Sequence, residues 1–135
     1  MLTLKKANDI ALGALKKAKE LGLKVSIAVV DDRGTLVVFH KMDGAFPVSP
    51  DFALTKAYTS ATLRLPTGGM SQYAIPGKPY YGLNSLASGV FTTIAGGVPI
   101  LDGKKVIGGI GVGGSHDVAQ DVECAESGLK AYNNN

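Results

Sequence analysis

The stretch GKKVIGGIGVGGSHDVAQD, residues 103–121, decides how the rest of the chain is arranged. A turn at Asp102-Gly103 leads into a strand whose second half is rich in glycine, and Ser115 precedes a final helix. Because the residues of a strand point alternately to its two faces, this strand has one face of larger side chains and one of nearly bare backbone. The larger face holds Val106, Gly108, Ile110 and Val112, and the bare face holds Ile107, Gly109, Gly111 and Gly113.

The bare face predicts that another group lies very close to this strand. Glycine inside a strand costs stability, so its repetition indicates a close approach that a side chain would block. A helix, a neighbouring subunit or a flat ligand could each occupy the space. Packing by protein is the simpler interpretation, and a ligand is the alternative.

Three of the glycines also form a nucleotide-binding pattern, because Gly109, Gly111 and Gly114 give G-x-G-x-x-G between a strand and a helix. That motif opens a βαβ unit and requires an acidic residue roughly 20 residues later for the ribose. The last acidic residue here is Glu126, and no second strand is predicted after the helix. The glycines are therefore not interpreted as a dinucleotide site.

Length and composition predict one domain, residues 1–135, with enough chain to bury a core. The net charge of +3 is modest and arginines are few, so nucleic-acid binding is not expected. No apolar run has the length of a membrane helix and no secretion signal is recognised, which favours a cytoplasmic protein. Cys124 is the single cysteine, which excludes an internal disulfide and a multi-cysteine metal cluster.

The first third of the chain predicts a helix followed by a β-hairpin. Thr3 can cap a helix whose apolar residues recur at helical spacing, and Gly22 ends it. Residues 25–30, VSIAVV, are mostly apolar at both odd and even positions, which is typical of a central strand covered on both faces. A turn then returns the chain as a second strand over residues 35–41.

The remaining two thirds predict two more helices and three more strands. Ser49-Pro50-Asp51 is a strong helix start, with Ser49 as the capping residue of a helix that runs to about Leu65. Residues 67–88, rich in proline, glycine and tyrosine, predict a packed loop that lines a pocket or an interface. The order predicts an α+β fold with a mainly antiparallel sheet of about five strands flanked by helices. The later elements are strands at 90–94 and 97–101, the glycine strand, and a helix at 117–131, which would place Val118, Val122, Ala125 and Leu129 on its apolar face and His116 in its first turn.

Four blocks of sequence, in this order and at these intervals, resemble one family. They are AVVDDRGTLVVFHKMDGA (28–45), KAYTSA (56–61), AGGVPI (95–100) and VIGGIGVGG (106–114). Together they resemble the GlcG/HbpS-type haem-degrading-domain family. That family includes GlcG proteins of glycolate operons, extracellular haem-binding HbpS proteins and the C-terminal domains of PduO-type corrinoid adenosyltransferases. The resemblance covers nearly the whole chain.

The resemblance implies about five antiparallel strands flanked by helices, in a profilin-like or PAS-like arrangement, and assembly into homo-oligomers. It also implies that some members bind haem or iron. Lys41 stands where many relatives have arginine, and the absence of a recognised secretion signal weakens an inference of haem transport. The family's motif residues, taken as candidate ligand-binding residues, fall on Asp43, Gly44, Lys56, Thr59, Gly97, Pro99, Gly111 and Gly113.

Haem binding would require an axial ligand and an apolar slot. The two histidines, His40 and His116, are the candidate metal ligands, although their spacing gives no ligand signature and each is more simply explained as a surface or capping residue. Met42 and Met70 are further candidates and are more simply explained by packing. Cys124, more simply explained as a buried small residue, and the tyrosines are also candidates, and Thr59 could supply an oxygen contact.

Lys56 and Thr59 are one turn apart on the second predicted helix, so both are expected on the same side. The pair could hold a carboxylate or propionate group, because the lysine supplies charge and the hydroxyl a directional hydrogen bond. Equally, the pair could anchor the helix to a loop through Asp43 or a backbone carbonyl.

The resemblance, taken together with these residues, implies a small-molecule-binding accessory protein of a bacterial catabolic operon, with haem or another tetrapyrrole as the ligand. The glycine face, the aromatic loop and the Lys56–Thr59 pair would form its site. One alternative is an oligomeric accessory protein of diol, glycerol or glycolate utilisation that acts by contacting a catabolic enzyme, and another is a weak haem-degrading enzyme. No nucleophile beside a base and no phosphate-binding loop is evident, so a non-enzymatic role is favoured.

Overall fold

A four-stranded antiparallel sheet in the order β2-β1-β4-β3 forms the centre of the molecule. The computed structural model describes residues 1–133. The strands are β1 (Ser26–Asp31), β2 (Leu36–Lys41), β3 (Gly97–Asp102) and β4 (Lys105–Gly113). The helices are α1 (Leu4–Glu20), α2 (Ser49–Leu63) and α3 (Val118–Asn133), and two 3₁₀ segments, Thr67–Tyr73 and Leu83–Gly89, lie between α2 and β3.

One face of the sheet carries the larger apolar core, between the strands and helices α1 and α3. Ile27, Val29, Ile110 and Val112 are fully buried on this face. The helices meet them with small residues, which allows α1 and α3 to approach each other closely. The buried residues of these helices are Ala7, Ile10, Ala11, Ala14 and Ala18 in α1, and Asp121, Cys124, Ala125 and Gly128 in α3.

The other face of the sheet packs against α2 through the glycines of β4. A Cβ atom added to Gly109 would lie 2.7 Å from the carbonyl oxygen of Ala57, and one added to Gly111 would overlap the carbonyl oxygen of Ala53. The backbone of the strand therefore contacts the backbone of the helix, as bare glycine surfaces permit. Helix α2 is the element that occupies the space next to the bare face.

The strand predicted at residues 90–94 is wrong, which reduces the sheet from about five strands to four. The polar groups of this segment bond to side chains instead of to a neighbouring strand. The amide of Thr92 donates to Thr59 Oγ1 at 3.0 Å, and the carbonyl of Ile94 accepts from Thr67 Oγ1 at 2.7 Å. Phe91 is buried beside Met70 and Leu83, so the segment covers a small cluster of its own.

Two helix starts also differ from the sequence predictions. Ser49 is the first residue of α2 instead of its cap, and its hydroxyl bonds the hydroxyl of Ser26 at 2.9 Å within the protein interior. His116 lies before α3 instead of in its first turn, with a left-handed φ of 67°. In α3 the buried residues are Asp121, Cys124, Ala125 and Gly128, whereas Val118 of the predicted apolar face is 46% exposed.

Other predictions are confirmed. Thr3 caps α1 by accepting from the amide of Lys6, and β1 is buried on both faces. Residues 67–88 contain helical turns, but most of them are exposed and only Thr67, Met70 and Leu83 are buried, so the prediction of a packed segment is wrong for most of its length.

Within residues 1–133 no helix has the length and apolar character needed to cross a membrane.

Candidate functional site

Three hollows follow one another at the end of the sheet where β2 and β4 finish. We call them the histidine groove (about 540 Å³), the middle hollow (about 280 Å³) and the lysine pocket (about 220 Å³). The first two share residues 22–24, and the last two share Phe46, Gly114 and His116. The hollows therefore form a row from β2 to the start of α3.

The histidine groove lies between the end of β2 and the last turns of α1. His40 pairs with Ile27 across the β1–β2 ladder, so its side chain is on the face of the sheet that α1 and α3 cover. Since α1 ends at Glu20, its last turns leave this end of the sheet partly open. Apolar, thioether and cationic groups line the groove together: Leu15, Leu23, Met42, Lys19, Lys24 and Lys41.

The imidazole of His40 has an unusual environment. Its Nε2 atom is buried and has no hydrogen-bond partner among residues 1–133. Met42, two residues along, uses its Sδ atom to accept from the amide of Val25 at 3.5 Å. Buried polar atoms in proteins are nearly always hydrogen-bonded, so this Nε2 atom is an exception among the described residues.

The middle hollow is shaped by a turn and by a stacked pair of rings. Gly44 has a φ of +82°, a left-handed conformation that glycine adopts without strain. The rings of Phe46 and His116 stack with their centroids 4.7 Å apart. Because His116 is exposed and held flat against Phe46, its ring forms part of the wall between this hollow and the lysine pocket.

The lysine pocket contains a buried ion pair. Lys56 Nζ donates to Asp121 Oδ2 at 3.1 Å and to the carbonyl oxygen of Val112 at 2.9 Å. The two charged side chains are 1% and 4% exposed. Burial lowers the pKa of the Lys56 ammonium, while the charge of Asp121 and its hydrogen bond to Nζ act in the opposite direction. Asp121 Oδ1 also accepts from the amide of Ser115 at 3.3 Å.

Glycines allow Lys56 to reach this position. The lysine leaves α2 over the bare face of β4, where the Cβ of Lys56 lies against Gly111. A Cβ atom on Gly96 would lie 2.7 Å from Nζ, so a side chain there would collide with the ammonium group. Asp121 belongs to α3, on the opposite face of the sheet. The ion pair therefore connects the two helical layers around the end of β4.

The structure distributes the predicted site residues among these hollows and the packed interior. His40 and Asp43 line the histidine groove, Gly44 and His116 the middle hollow, and Lys56 and His116 the lysine pocket. The other five residues are in packing contacts. Thr59 bonds Thr92, and Gly97 packs against Thr67 and Lys56. Pro99 lies opposite Gly109 in the β3–β4 pair, and Gly111 and Gly113 contact α2. A ligand role for those five stays a prediction.

Lys56 and Thr59 bond different partners. Thr59 accepts from the backbone of Thr92, whereas Lys56 bonds Val112 and Asp121. The sequence predicts an anchor through Asp43 or a backbone carbonyl, and of these only the carbonyl is found, as the partner of Lys56, whereas Thr59 bonds an amide. A joint site for a carboxylate stays a prediction, and the contacts of the two side chains give it no support.

Asp121 is the residue of the lysine pocket that the sequence interpretation missed. It begins a set of small or buried residues spaced at i, i+3, i+4 and i+7, with Cys124, Ala125 and Gly128. That spacing marks the buried face of a helix. A carboxylate on such a face needs a cation as its partner, and Lys56 is the buried cation that the structure supplies.

Comparison with known proteins places the fold in a family. The family model described as haem-degrading protein HbpS-like matches residues 2–130. The chain belongs to the HbpS-like family. One similar protein is the 15.0 kDa protein of the dhaT-dhaS intergenic region of Citrobacter freundii, which is 36% identical to this chain over 131 residues. The match covers 97% of this chain and 92% of the Citrobacter protein.

Two further relatives involve PduO. The corrinoid adenosyltransferase PduO of Citrobacter freundii is 32% identical over 132 residues, which cover 98% of the HbpS-like chain but 39% of PduO. The crystal structure of a PduOC–haem complex has 31% identity and a TM-score of 0.91, with 96% of this chain and 94% of that chain covered. A protein of closely similar fold has therefore been crystallised with haem.

Proposed function

We propose that this HbpS-like protein binds haem or a related tetrapyrrole in the histidine groove. The observation that carries the proposal concerns His40, a residue that lines a groove of about 540 Å³ and whose buried Nε2 atom has no hydrogen-bond partner among the described residues. A buried polar atom without a partner costs about 1–3 kcal/mol. Ligation of an iron would remove that cost. The haem complex of the similar PduOC protein supports this choice of ligand.

The groove offers the groups that haem requires. Leu15 and Leu23 would contact the apolar ring, and Lys19, Lys24 and Lys41 would bind the propionates. His40 would be the axial ligand after its imidazole turns so that a ring nitrogen faces the groove. Within residues 1–133 no cluster of three or more histidine, cysteine or acidic residues could hold a free metal ion. Bound haem would supply a redox-active iron, which the chain's residues hold and orient.

The test is a haem titration of the purified protein and of two matched variants. The wild type is expected to show a saturable shift of the Soret band. His40→Ala should weaken binding by at least about tenfold, equivalent to about 1.4 kcal/mol, and lose the spectrum of imidazole ligation. His116→Ala, which removes the other histidine, should bind as the wild type does.

Two results would overturn the proposal. One is a wild-type protein without a saturable Soret shift, and the other is a His40→Ala variant that binds with unchanged affinity and spectrum. Circular dichroism of each variant verifies that it is folded. Loss of haem absorbance with reductant and oxygen, beyond that of a denatured control, would extend the proposal to haem breakdown.

A second candidate function is that of an accessory protein that works by protein contact. The segment between α2 and β3 exposes large apolar side chains, a feature typical of association surfaces. We propose self-association or binding of a catabolic enzyme there, in line with the dhaT-dhaS and PduO relatives. The exposed side chains, between 48% and 66% accessible, are Tyr73, Ile75, Tyr80, Tyr81 and Leu86.

Light scattering tests this second candidate. The wild type is expected to have the mass of an oligomer, and the double variant Tyr80→Ser/Tyr81→Ser should shift toward the monomer. A wild type that is monomeric at every concentration and does not bind the enzyme encoded beside it would contradict the candidate. The titration of haem is independent of this outcome.

A further inference from the structure

The lysine pocket is a second site whose chemistry differs from that of the histidine groove. Its apolar lining residues are Phe46, Phe52, Ile94 and Val118, of which Ile94 and Val118 are 40% and 46% exposed. Its volume of about 220 Å³ equals about seven water molecules in the liquid. The pocket therefore suits a small molecule with an apolar body, and it is too small for a tetrapyrrole.

The two buried charges of the pocket already neutralise each other. The Lys56 ammonium is paired with the Asp121 carboxylate, whose second oxygen accepts from the amide of Ser115. Asp117 adds another acidic residue to the lining. A carboxylate ligand would therefore bring uncompensated negative charge into a buried place beside Asp121, which is costly. A neutral ligand carries no such cost.

The ammonium group has one hydrogen to offer such a ligand. Two of its three N–H groups bond Val112 and Asp121, and the ring of Phe52 lies 5.4 Å from Nζ. A carbonyl oxygen accepts hydrogen bonds without bringing charge. Lys56 has a further property, since burial favours its neutral, nucleophilic form. Asp121 Oδ2, at 3.1 Å, can accept the proton that the ammonium must release.

We propose that the lysine pocket binds a small neutral carbonyl compound with an apolar body, and that Lys56 condenses with an aldehyde in this pocket. The ammonium transfers one proton to Asp121, and the amine adds to the carbonyl carbon. The carbon–oxygen bond then breaks, the oxygen leaves as water, and a C=N bond forms. Return of the proton from Asp121 gives a protonated imine, so the products are that imine and one water molecule. The imine keeps the positive charge that pairs with Asp121.

Reductive trapping tests the condensation. The wild-type protein is incubated with benzaldehyde and cyanoborohydride, and the benzylated lysines are identified by peptide mass spectrometry. Lys56 should be modified at least about tenfold faster than Lys5, whose side chain is 84% exposed and serves as an internal reference for surface reactivity. Lys56→Arg, which retains the positive charge but cannot form the imine, should show only the surface reaction.

Competition on the wild type keeps the test valid if the variant does not fold. Benzamide, neutral and of similar shape, should slow modification of Lys56, whereas benzoate should leave it unchanged. The proposal is overturned if Lys56 is modified no faster than Lys5, or if benzoate protects it and benzamide does not. Haem binding is measured separately, so failure of either site is distinguishable from failure of the other.

Discussion

The two faces of β4 pack in opposite ways. Toward α1 and α3, the strand presents Ile110 and Val112, which fill an aliphatic core with their side chains. Toward α2, it presents glycines whose backbone touches the backbone of the helix. The first face is stabilised by buried apolar area, whereas the second is stabilised by close contact and by polar groups of α2.

The difference explains where the polar residues are. A helix held close to the sheet by glycines brings short and long polar side chains across the strand: Ser49 reaches Ser26, Thr59 reaches Thr92, and Lys56 reaches Val112 and Asp121. The aliphatic face has little room for such contacts. The glycine face thus positions the buried polar side chains of α2. Four variants test the difference between the glycine face and the aliphatic face.

The largest effect is expected from Gly111→Ala. Its Cβ would overlap the carbonyl oxygen of Ala53, so α2 must move and the free energy of unfolding should fall by about 3 kcal/mol or more. Urea denaturation measures the change. Gly69→Ala is the control, because nothing lies within 4 Å of its added Cβ, and it should change stability by less than about 0.5 kcal/mol. Equal effects at both positions would show that the backbones of β4 and α2 are not in close contact at Gly111.

The next effect is expected from Lys56→Met. It leaves the Asp121 carboxylate buried without its cation, which should cost about 3–5 kcal/mol in thermal or urea unfolding at neutral pH. The double variant Lys56→Met/Asp121→Leu should recover much of this loss, because no uncompensated charge is left. Asp9→Asn, which breaks the exposed pair with Lys5, should cost less than about 1 kcal/mol. A double variant as unstable as Lys56→Met would refute the charge explanation.

A smaller effect is expected from Thr59→Val, which keeps the shape of the side chain but leaves the amide of Thr92 without its acceptor. The expected loss is about 1–2 kcal/mol, measured by urea denaturation. Thr55→Val is the matched change, since the Thr55 hydroxyl bonds only carbonyls of its own helix and its loss should cost less. If Thr59→Val also weakened haem binding, the residue would have a ligand role after all.

The effect at Cys124, on the aliphatic side, is the smallest at neutral pH, because it appears only above pH 9. Burial, followed by the nearby Asp121 and Glu123, raises the pKa of its thiol from 9.0 to about 11 in the folded protein. Below pH 9 the thiol is protonated in both the folded and the unfolded protein, so its contribution to the free energy of unfolding is fully present. As the pH rises from 9 to 11, the unfolded thiol ionises first, so stability should fall. Cys124→Ala should lack this part of the decline when the two proteins are compared across that range.

The three helices and the two β-hairpins, β1–β2 and β3–β4, could be predicted because their sequences are locally consistent. The Thr3 hydroxyl caps α1, as its position before the helix predicts. The glycines of β4 lie in close contact with α2, as their repetition in a strand predicts. Residues 90–94 have the composition of a strand, but their N–H and C=O groups bond Thr59, Thr92 and Thr67. Two of these partners, Thr59 and Thr67, lie in distant parts of the chain, which local patterns do not contain.

The candidate site was predicted less well than the fold. The sequence marked His40, Asp43, Gly44, Lys56 and His116, and each lines one of the three hollows. It could not show that Thr59 turns away from Lys56, since residues on one side of a helix can contact different elements. Nor could it pair Lys56 with Asp121, because the two lie 65 positions apart and meet only after both helical layers have packed.

The contact between β4 and α2 also limits how such a sequence can evolve. At Gly111 the smallest possible replacement is already too large, so variants have no graded series from small to large. A gradual exchange of this strand for an ordinary one would pass through poorly folded intermediates unless α2 shifted at the same time. Lineages that retain this helix position should therefore retain the glycine, and those that lose it should carry compensating changes along α2.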